Sequence, residues 1–163
     1  MTAPQAAVFD CNIFLRAMLT PTGPSAACCD KAANGDVILH VAPFVFEELR
    51  DLPNRKKLRR FPHFTHERVE RFIEEVLEFA DLVVDPPPRF SYPRDPDDTP
   101  YIDLAIATGA LLVVSNDTDL LDLMCDSNAE GSELRRMHPS FHVYTPPQFL
   151  ALFKTENKPD DEH

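Results

Sequence analysis

No apolar run in the 163 residues approaches the roughly 20 needed to carry a helix across a bilayer, which argues against a transmembrane helix. The first residues, Met1 to Ala7, lack a basic start followed by an apolar stretch, so no secretory signal is expected and the cytoplasm is the expected compartment. Cysteine is sparse. Cys11, Cys28, Cys29 and Cys125 include no C-x-x-C pair, which argues against a disulfide framework or a thiolate zinc site. The vicinal Cys28-Cys29 reads as two buried positions on a helix. The six histidines show no H-x-x-x-H spacing and read as surface residues. Positive charge is also short, with 16 Lys and Arg against 27 Asp and Glu, a net charge of -11. At face value that balance opposes a nucleic-acid partner, because phosphate binding rewards cations.

Where the charges sit alters that conclusion. Asp160, Asp161 and Glu162 belong to a C-terminal tail, 154–163, expected to be disordered. Against the acidic background stands one dense basic block, Arg55-Lys56-Lys57-Leu58-Arg59-Arg60. The local field there can be opposite in sign to the global one, so these five cations are candidate RNA contacts as well as a solvated surface.

The pattern along the chain alternates strands with helices. Ala6 to Phe9 is a short apolar strand stopped by Asp10, and Ser25 is placed to cap a helix over Ala26 to Asn34 that ends at Gly35. Val37 to Val41 reads as a second strand, and Pro43 opens a helix carrying Glu47, Glu48 and Leu49. Thr65 precedes the clearest amphipathic helix, with Val69, Phe72, Ile73, Val76, Leu77 and Ala80 on one face. Leu82 to Val84 reads as a strand, a proline-rich loop covers Pro86 to Pro96, and Thr99 is placed to cap, and Pro100 to open, a helix over Tyr101 to Thr108 that Gly109 closes. Leu111 to Val114 is an apolar strand stopped at Ser115-Asn116-Asp117. Phe141 to Tyr144 is a last strand, and Thr145-Pro146 starts a helix through Phe153. This order predicts one α/β domain over residues 1–153, with a parallel sheet between helical layers.

In such a sheet, ligands bind beyond the C-terminal strand ends, where Asp10 and Asp117 both stand. Asp98 lies at a helix start, near exposed N–H groups and a favourable dipole. Glu48 follows the second strand on its helix. Four gathered carboxylates repel unless a cation joins them, and hard cations such as Mg²⁺ or Mn²⁺ take oxygen ligands. A bound ion of that kind can activate water against a phosphodiester without a covalent nucleophile. Two choices stay open: Glu48 has Glu47 as a neighbour, and Asp98 competes with Asp95 and Asp97. Asp95 is also a possible assisting ligand, and Asp119 a cap for the Leu120-Leu121 turn.

Four segments in order, Val8-Phe9-Asp10-Cys11-Asn12, Phe46-Glu47-Glu48-Leu49, Arg94-Asp95-Pro96-Asp97-Asp98 and Val114-Ser115-Asn116-Asp117-Thr118-Asp119-Leu120-Leu121, resemble the signature segments of PIN domains. They are most similar to the subgroup of toxin components of toxin–antitoxin systems, relatives of VapC-type toxins, over roughly residues 6–150. The resemblance implies a three-layer α/β/α sandwich, Mg²⁺ or Mn²⁺ dependence and cleavage of RNA. It implies metal-binding acids at Asp10, Glu48, Asp98 and Asp117, support by hydrogen bonding from Asn12 and Ser115, and a secondary acid at Asp119. It also implies a homodimer and an antitoxin partner. Ser115-Asn116 replaces the commoner Thr-Gly but keeps a hydroxyl. Two rivals stand beside the nuclease: a PIN-fold binding module acting through a protein partner, and a haloacid-dehalogenase-like phosphatase, which normally wants a second acid where Asn12 stands.

Overall fold

The computed structural model describes residues 4–88 and 97–154; Asp95 and residues 155–163 of the expected tail lie outside the described residues. Five parallel strands form one sheet: β1 (Gln5–Phe9), β2 (Val37–Val41), β3 (Asp81–Leu82), β4 (Leu112–Val114) and β5 (His142–Tyr144), in the order β3-β2-β1-β4-β5. The two central strands are apolar and buried along most of their length, Ala7, Val8 and Phe9 in β1 and Leu112, Val113 and Val114 in β4. That is the signature of strands covered on both faces.

The connecting helices are α1 (Cys11–Leu19), α2 (Pro24–Ala33), α3 (Pro43–Asp51), α4 (His66–Phe79), α5 (Thr99–Ala107), α6 (Thr118–Asp122) and α7 (Ala129–Met137), and α8 (Pro146–Lys154) follows β5. The chain steps outward from β1 to β2 and β3, then returns through α5 to β4 beside β1. Right-handed crossovers in opposite directions place their helices on opposite faces. Accordingly α1 to α4 pack on one another, while α5 crosses β1, β2 and β4. The result is the expected α/β/α sandwich.

Several local devices fix the elements that carry the acids. Phe9 at the end of β1 meets Phe14 of α1 at 6.0 Å and Phe149 of α8 edge-on at 5.8 Å, so the residue before Asp10 is held by two rings. Thr65 caps α4 by accepting from the Arg68 amide at 3.2 Å, and Val69, Ile73 and Val76 form its buried stripe. Arg50 of α3 donates to both carboxylate oxygens of Glu70 in α4, at 2.6 and 3.4 Å, tying the helix that carries Glu48 to its neighbour.

The structure also departs from the sequence expectations. α1, α6 and α7 are helices where none is expected. α2 starts at Pro24 with Gly23 in the cap position, so Ser25 lies inside the first turn and is buried instead of capping. Asp98, not Thr99, occupies the cap position of α5, and Asp117, not Asp119, caps the turn after β4. β3 is only Asp81–Leu82, with Val84 beyond it two-thirds exposed. Lys154, assigned to the tail, ends α8. Cys28 and Cys29 are buried on α2 as expected. His40 is not a surface residue: it sits half-buried in β2 with Nδ1 enclosed, and burial lowers its pKa.

Candidate metal centre

The order β3-β2-β1-β4-β5 reverses direction between β1 and β4, and a crevice opens beyond the strand ends at such a switch point. Asp10 follows β1 there, and Ser115 and Asp117 follow β4. The main chain joins the two ends directly, the Asp10 amide donating to the Val114 carbonyl at 3.0 Å. Ser115, fully buried, completes the junction. Its hydroxyl donates to Asp10 Oδ2 at 2.7 Å and accepts from the Asp117 amide at 2.9 Å. One side chain therefore fixes both aspartates.

Three of the four expected acids occupy the same kind of position. Asp10 precedes α1, Asp98 precedes α5 and Asp117 precedes α6, so three helix N-termini face the crevice. Their partial positive charge offsets part of the carboxylate repulsion. Asp117 uses its side chain as a cap, Oδ1 accepting from the Asp119 amide at 2.9 Å. Asp98 is 5% exposed, and one carboxylate oxygen each from Asp98, Asp117 and Asp119 lies within 4.8 Å of the others. Oxygens on opposite sides of a divalent cation with bonds of 2.1–2.4 Å lie about 4.2–4.8 Å apart, so this donor set fits one hard cation. Its all-oxygen chemistry suits Mg²⁺, Mn²⁺ or Ca²⁺ over metals that prefer thiolate or imidazole.

Asp10 and Glu48 stand beside that group, outside the tight trio. Glu48 is half-buried while Glu47 is exposed. Glu48 Oε2 accepts from the Tyr101 hydroxyl at 3.1 Å, and that hydroxyl accepts from the Cys11 amide at 3.2 Å. Burial raises the pKa of Glu48, opposed by the Tyr101 bond and the charge of Arg55 and reinforced by Asp10. Burial likewise raises Asp10, opposed by the Ser115 bond and reinforced by Asp117. The acids thus form one interacting row: Asp10 raises Glu48, Asp117 raises Asp10, and Asp117 adjoins Asp98 and Asp119.

The sequence of the whole row matches a known domain. The sequence model described as the PIN domain matches residues 6–119. The chain belongs to the PIN-domain family. The matched span opens in β1 and closes at Asp119, so it contains all five acids of the row. The chain is also 24% identical over 147 residues to the uncharacterized protein MJ1680 of Methanocaldococcus jannaschii, covering 90% of each chain. PIN domains are generally nucleases that use divalent metal ions. The acidic cluster of this PIN domain is consistent with that chemistry.

The remaining expected residues fall in different places. Asn12 is exposed, and after the Ser115 hydroxyl its backbone amide, with that of Cys11, favours the charged form of Asp10. Asp97 is exposed beside Asp98. The basic block folds as short 3₁₀ turns, Leu52–Asn54 and Lys56–Leu58, with Arg55, Lys56, Lys57, Arg59 and Arg60 all exposed. Arg55 forms a 3.8 Å ion pair with Asp51, and its charge reaches Glu48 and Cys11.

Tyr101 is the site residue that sequence reasoning missed. Its signal is an aromatic three positions after Asp98, in the first turn of a helix whose later residues are mostly aliphatic. Tyr101→Phe keeps the ring but leaves the Cys11 amide and Glu48 short of a partner, and is expected to cost about 1–3 kcal/mol. Urea denaturation checks this; an unchanged midpoint would contradict the pairing.

The raised pKa of Asp10 has a defined sign in stability. In metal-free protein the folded state holds this proton more tightly than the unfolded chain, whose value is near 3.8. The associated stability is present below that pH and is lost as pH rises through the folded value. Asp10→Asn removes this dependence. In EDTA, the Tm of wild type relative to Asp10→Asn is expected to fall as pH rises from 3.8 towards neutrality. A parallel pair of pH profiles would contradict the assignment.

Proposed function

We propose that the protein is a Mg²⁺- or Mn²⁺-dependent endoribonuclease that hydrolyses RNA phosphodiester bonds in the cytoplasm. The observation that carries this reading is the convergence of Asp98, Asp117 and Asp119 beside buried Asp10 at the switch point of a PIN fold. Asp98, Asp117 and Asp119 would hold the cation, with Asp10 and Glu48 completing its surroundings; Asp95 lies outside the described residues. The bound ion supplies an activated water and neutralises charge developing on the phosphoryl group.

The protein's own residues do the rest. Ser115 keeps Asp10 and Asp117 in register, and Tyr101 anchors Glu48 through one oxygen. Glu48, with its proton affinity raised by burial, can take up a proton more readily than an exposed glutamate. The exposed cations from Arg55 to Arg60 follow the helix that carries Glu48, and supply the positive field an RNA strand needs on a protein of net charge -11.

The test is cleavage of single-stranded RNA by purified protein. Cleavage with Mn²⁺ or Mg²⁺ that EDTA stops is expected; metal-independent cleavage, or none with either ion, would overturn the reading. Tyr101→Phe should lower the rate by about 10–100-fold, the effect typical of removing a group that orients a ligand.

The same reading includes a physiological role, resting on the resemblance of the four segments to VapC-type toxins. The protein is the toxin of a toxin–antitoxin pair, acts as a homodimer and is neutralised by an antitoxin protein. Expression should slow growth while Asp117→Asn does not; equal growth with both would remove the toxin role and leave the nuclease intact.

A further inference from the structure

A cleft of about 210 Å³ lies next to the acidic row, lined by Arg16, Thr20, Gly23, Ser25, Asn116 and Pro146 among others. Asn116 sits between Ser115 and Asp117, and Pro146 follows β5, so the cleft opens on the same edge of the sheet as the acids. The Cys28 thiol reaches the Pro146 carbonyl at 3.8 Å, which holds α2 against this edge.

The walls of the cleft are those of an anion site. α2 begins here with Gly23 in the cap position and Pro24 next, so no side chain caps the helix. The first helical amide to find a partner is that of Ala27, donating to the Gly23 carbonyl. The Ser25 and Ala26 amides precede it at the positive end of the dipole. Ser25 is only 5% exposed, lines the cleft, and its side chain makes no hydrogen bond among the described residues. With so little of the residue exposed, the Ser25 side chain is free to serve a ligand that enters the cleft. Arg16, exposed in the last turn of α1, lines the same cleft and makes no ion pair among the described residues. A guanidinium and a hydroxyl lining a small space at an uncapped helix N-terminus are the donor types a phosphate takes.

Size narrows the ligand. Pockets for drug-sized molecules are typically about 300–1,000 Å³, so a cleft of about 210 Å³ suits a phosphate and part of a sugar better than a whole nucleotide. We propose that the Arg16–Ser25 cleft binds a backbone phosphate of the RNA strand, one that neighbours the phosphate being cut. The inference rests on the nuclease reading for the identity of the strand. It gives the strand a second fixed point, on the β4 side of the acids, with the basic block on the β2 side. Three contacts in a row define a path across the sheet edge and a position for the scissile bond.

The test uses the full chain carrying Asp117→Asn, so that bound RNA is not cut, and a short fluorescein-labelled single-stranded RNA followed by anisotropy in Mg²⁺. Adding Arg16→Gln should weaken binding by about ten-fold, the loss of one charge-assisted contact, and reduce the slope of log affinity against log salt by about 0.7. Adding Ser25→Ala should weaken binding by roughly three-fold without changing that slope, because it removes a neutral donor. Equal affinity and slope in all three proteins, or no binding by the parent, overturns the subsite. Cleavage by wild type is read separately. A wild-type protein that fails to cut, with the Arg16→Gln effect intact, removes the nuclease and leaves the subsite. One that cuts, with Arg16→Gln silent, does the reverse.

Discussion

Asp117→Asn is expected to lower metal-dependent RNA cleavage by about 10³-fold, equivalent to about 4 kcal/mol of transition-state stabilisation, while leaving the protein folded. The substitution separates charge from geometry. Asparagine keeps an oxygen to accept from the Asp119 amide, and it caps helices as well as aspartate does, so α6 is retained. The Asp117 amide still donates to Ser115, because that bond is made by the main chain. What disappears is one of the three carboxylates that converge within 4.8 Å, together with its repulsion of Asp10. The Tm in EDTA should therefore be unchanged or slightly raised. The rise in Tm that Mg²⁺ or Mn²⁺ gives wild type by mass action should shrink. Cleavage retained within about ten-fold of wild type would show that this carboxylate does not hold the ion on which the rate depends.

The largest expected effect on stability lies elsewhere, at Gly131 in the first turn of α7. A Cβ at this position would stand 2.0 Å from the Leu123 carbonyl oxygen and 2.8 Å from its carbon. Both are backbone atoms, in the turn that follows α6, and Leu123 is itself fully buried. No rotamer change relieves the overlap, so α7 must move away from the core that Leu134 anchors. Gly131→Ala is expected to cost about 3 kcal/mol, the upper part of the range for overpacking, and to lower Tm by roughly 10 °C for a domain of this size. Gly35→Ala is the useful contrast. Gly35 has a φ of 85° with open space around its missing Cβ, so that change should cost only about 1 kcal/mol through backbone strain. Thermal denaturation of the two variants side by side reads the difference; equal Tm values would contradict the tight packing of α7 on Leu123.

The contrast between these two sites bears on what a sequence discloses. Asp10 and Asp117 were legible because each ends an apolar strand, and a buried parallel strand leaves an uninterrupted hydrophobic word that stops at a polar residue. The helix that carries Glu47 and Glu48 was legible through Pro43, which opens it, and Leu49, which is buried on it. α4 announced itself with a full apolar stripe and a Thr65 cap. α7 did not, because the part of its surface that meets the core at Gly131 has no side chain. A close backbone approach leaves no hydrophobic letter to read.

α1 was hidden for a different reason. Asp10 is at once the residue after β1 and the cap of α1, so no linker residues mark the boundary, and nine residues hold too few turns for a clear period. Helices of that length depend on tertiary packing, here Phe14 against Phe9 and Phe72. The caps at Ser25 and Thr99 were misassigned by one or two positions, where proline at the first turn leaves several cap candidates within reach. Tyr101 was not legible as a site residue at all. Its partner amide is 90 residues away in sequence, and only the α5 crossover brings the two together.

The central claim is that Asp98, Asp117 and Asp119 hold a divalent cation beside Asp10 at the end of β1 and β4. Manganese scatters anomalously, so crystals of wild-type protein grown with Mn²⁺ test it directly. The account predicts a single strong anomalous peak in contact with carboxylate oxygens of Asp98 and Asp117, lost in Asp117→Asn. A well-ordered crevice with no peak, or manganese bound only at carboxylates outside this row, would contradict it.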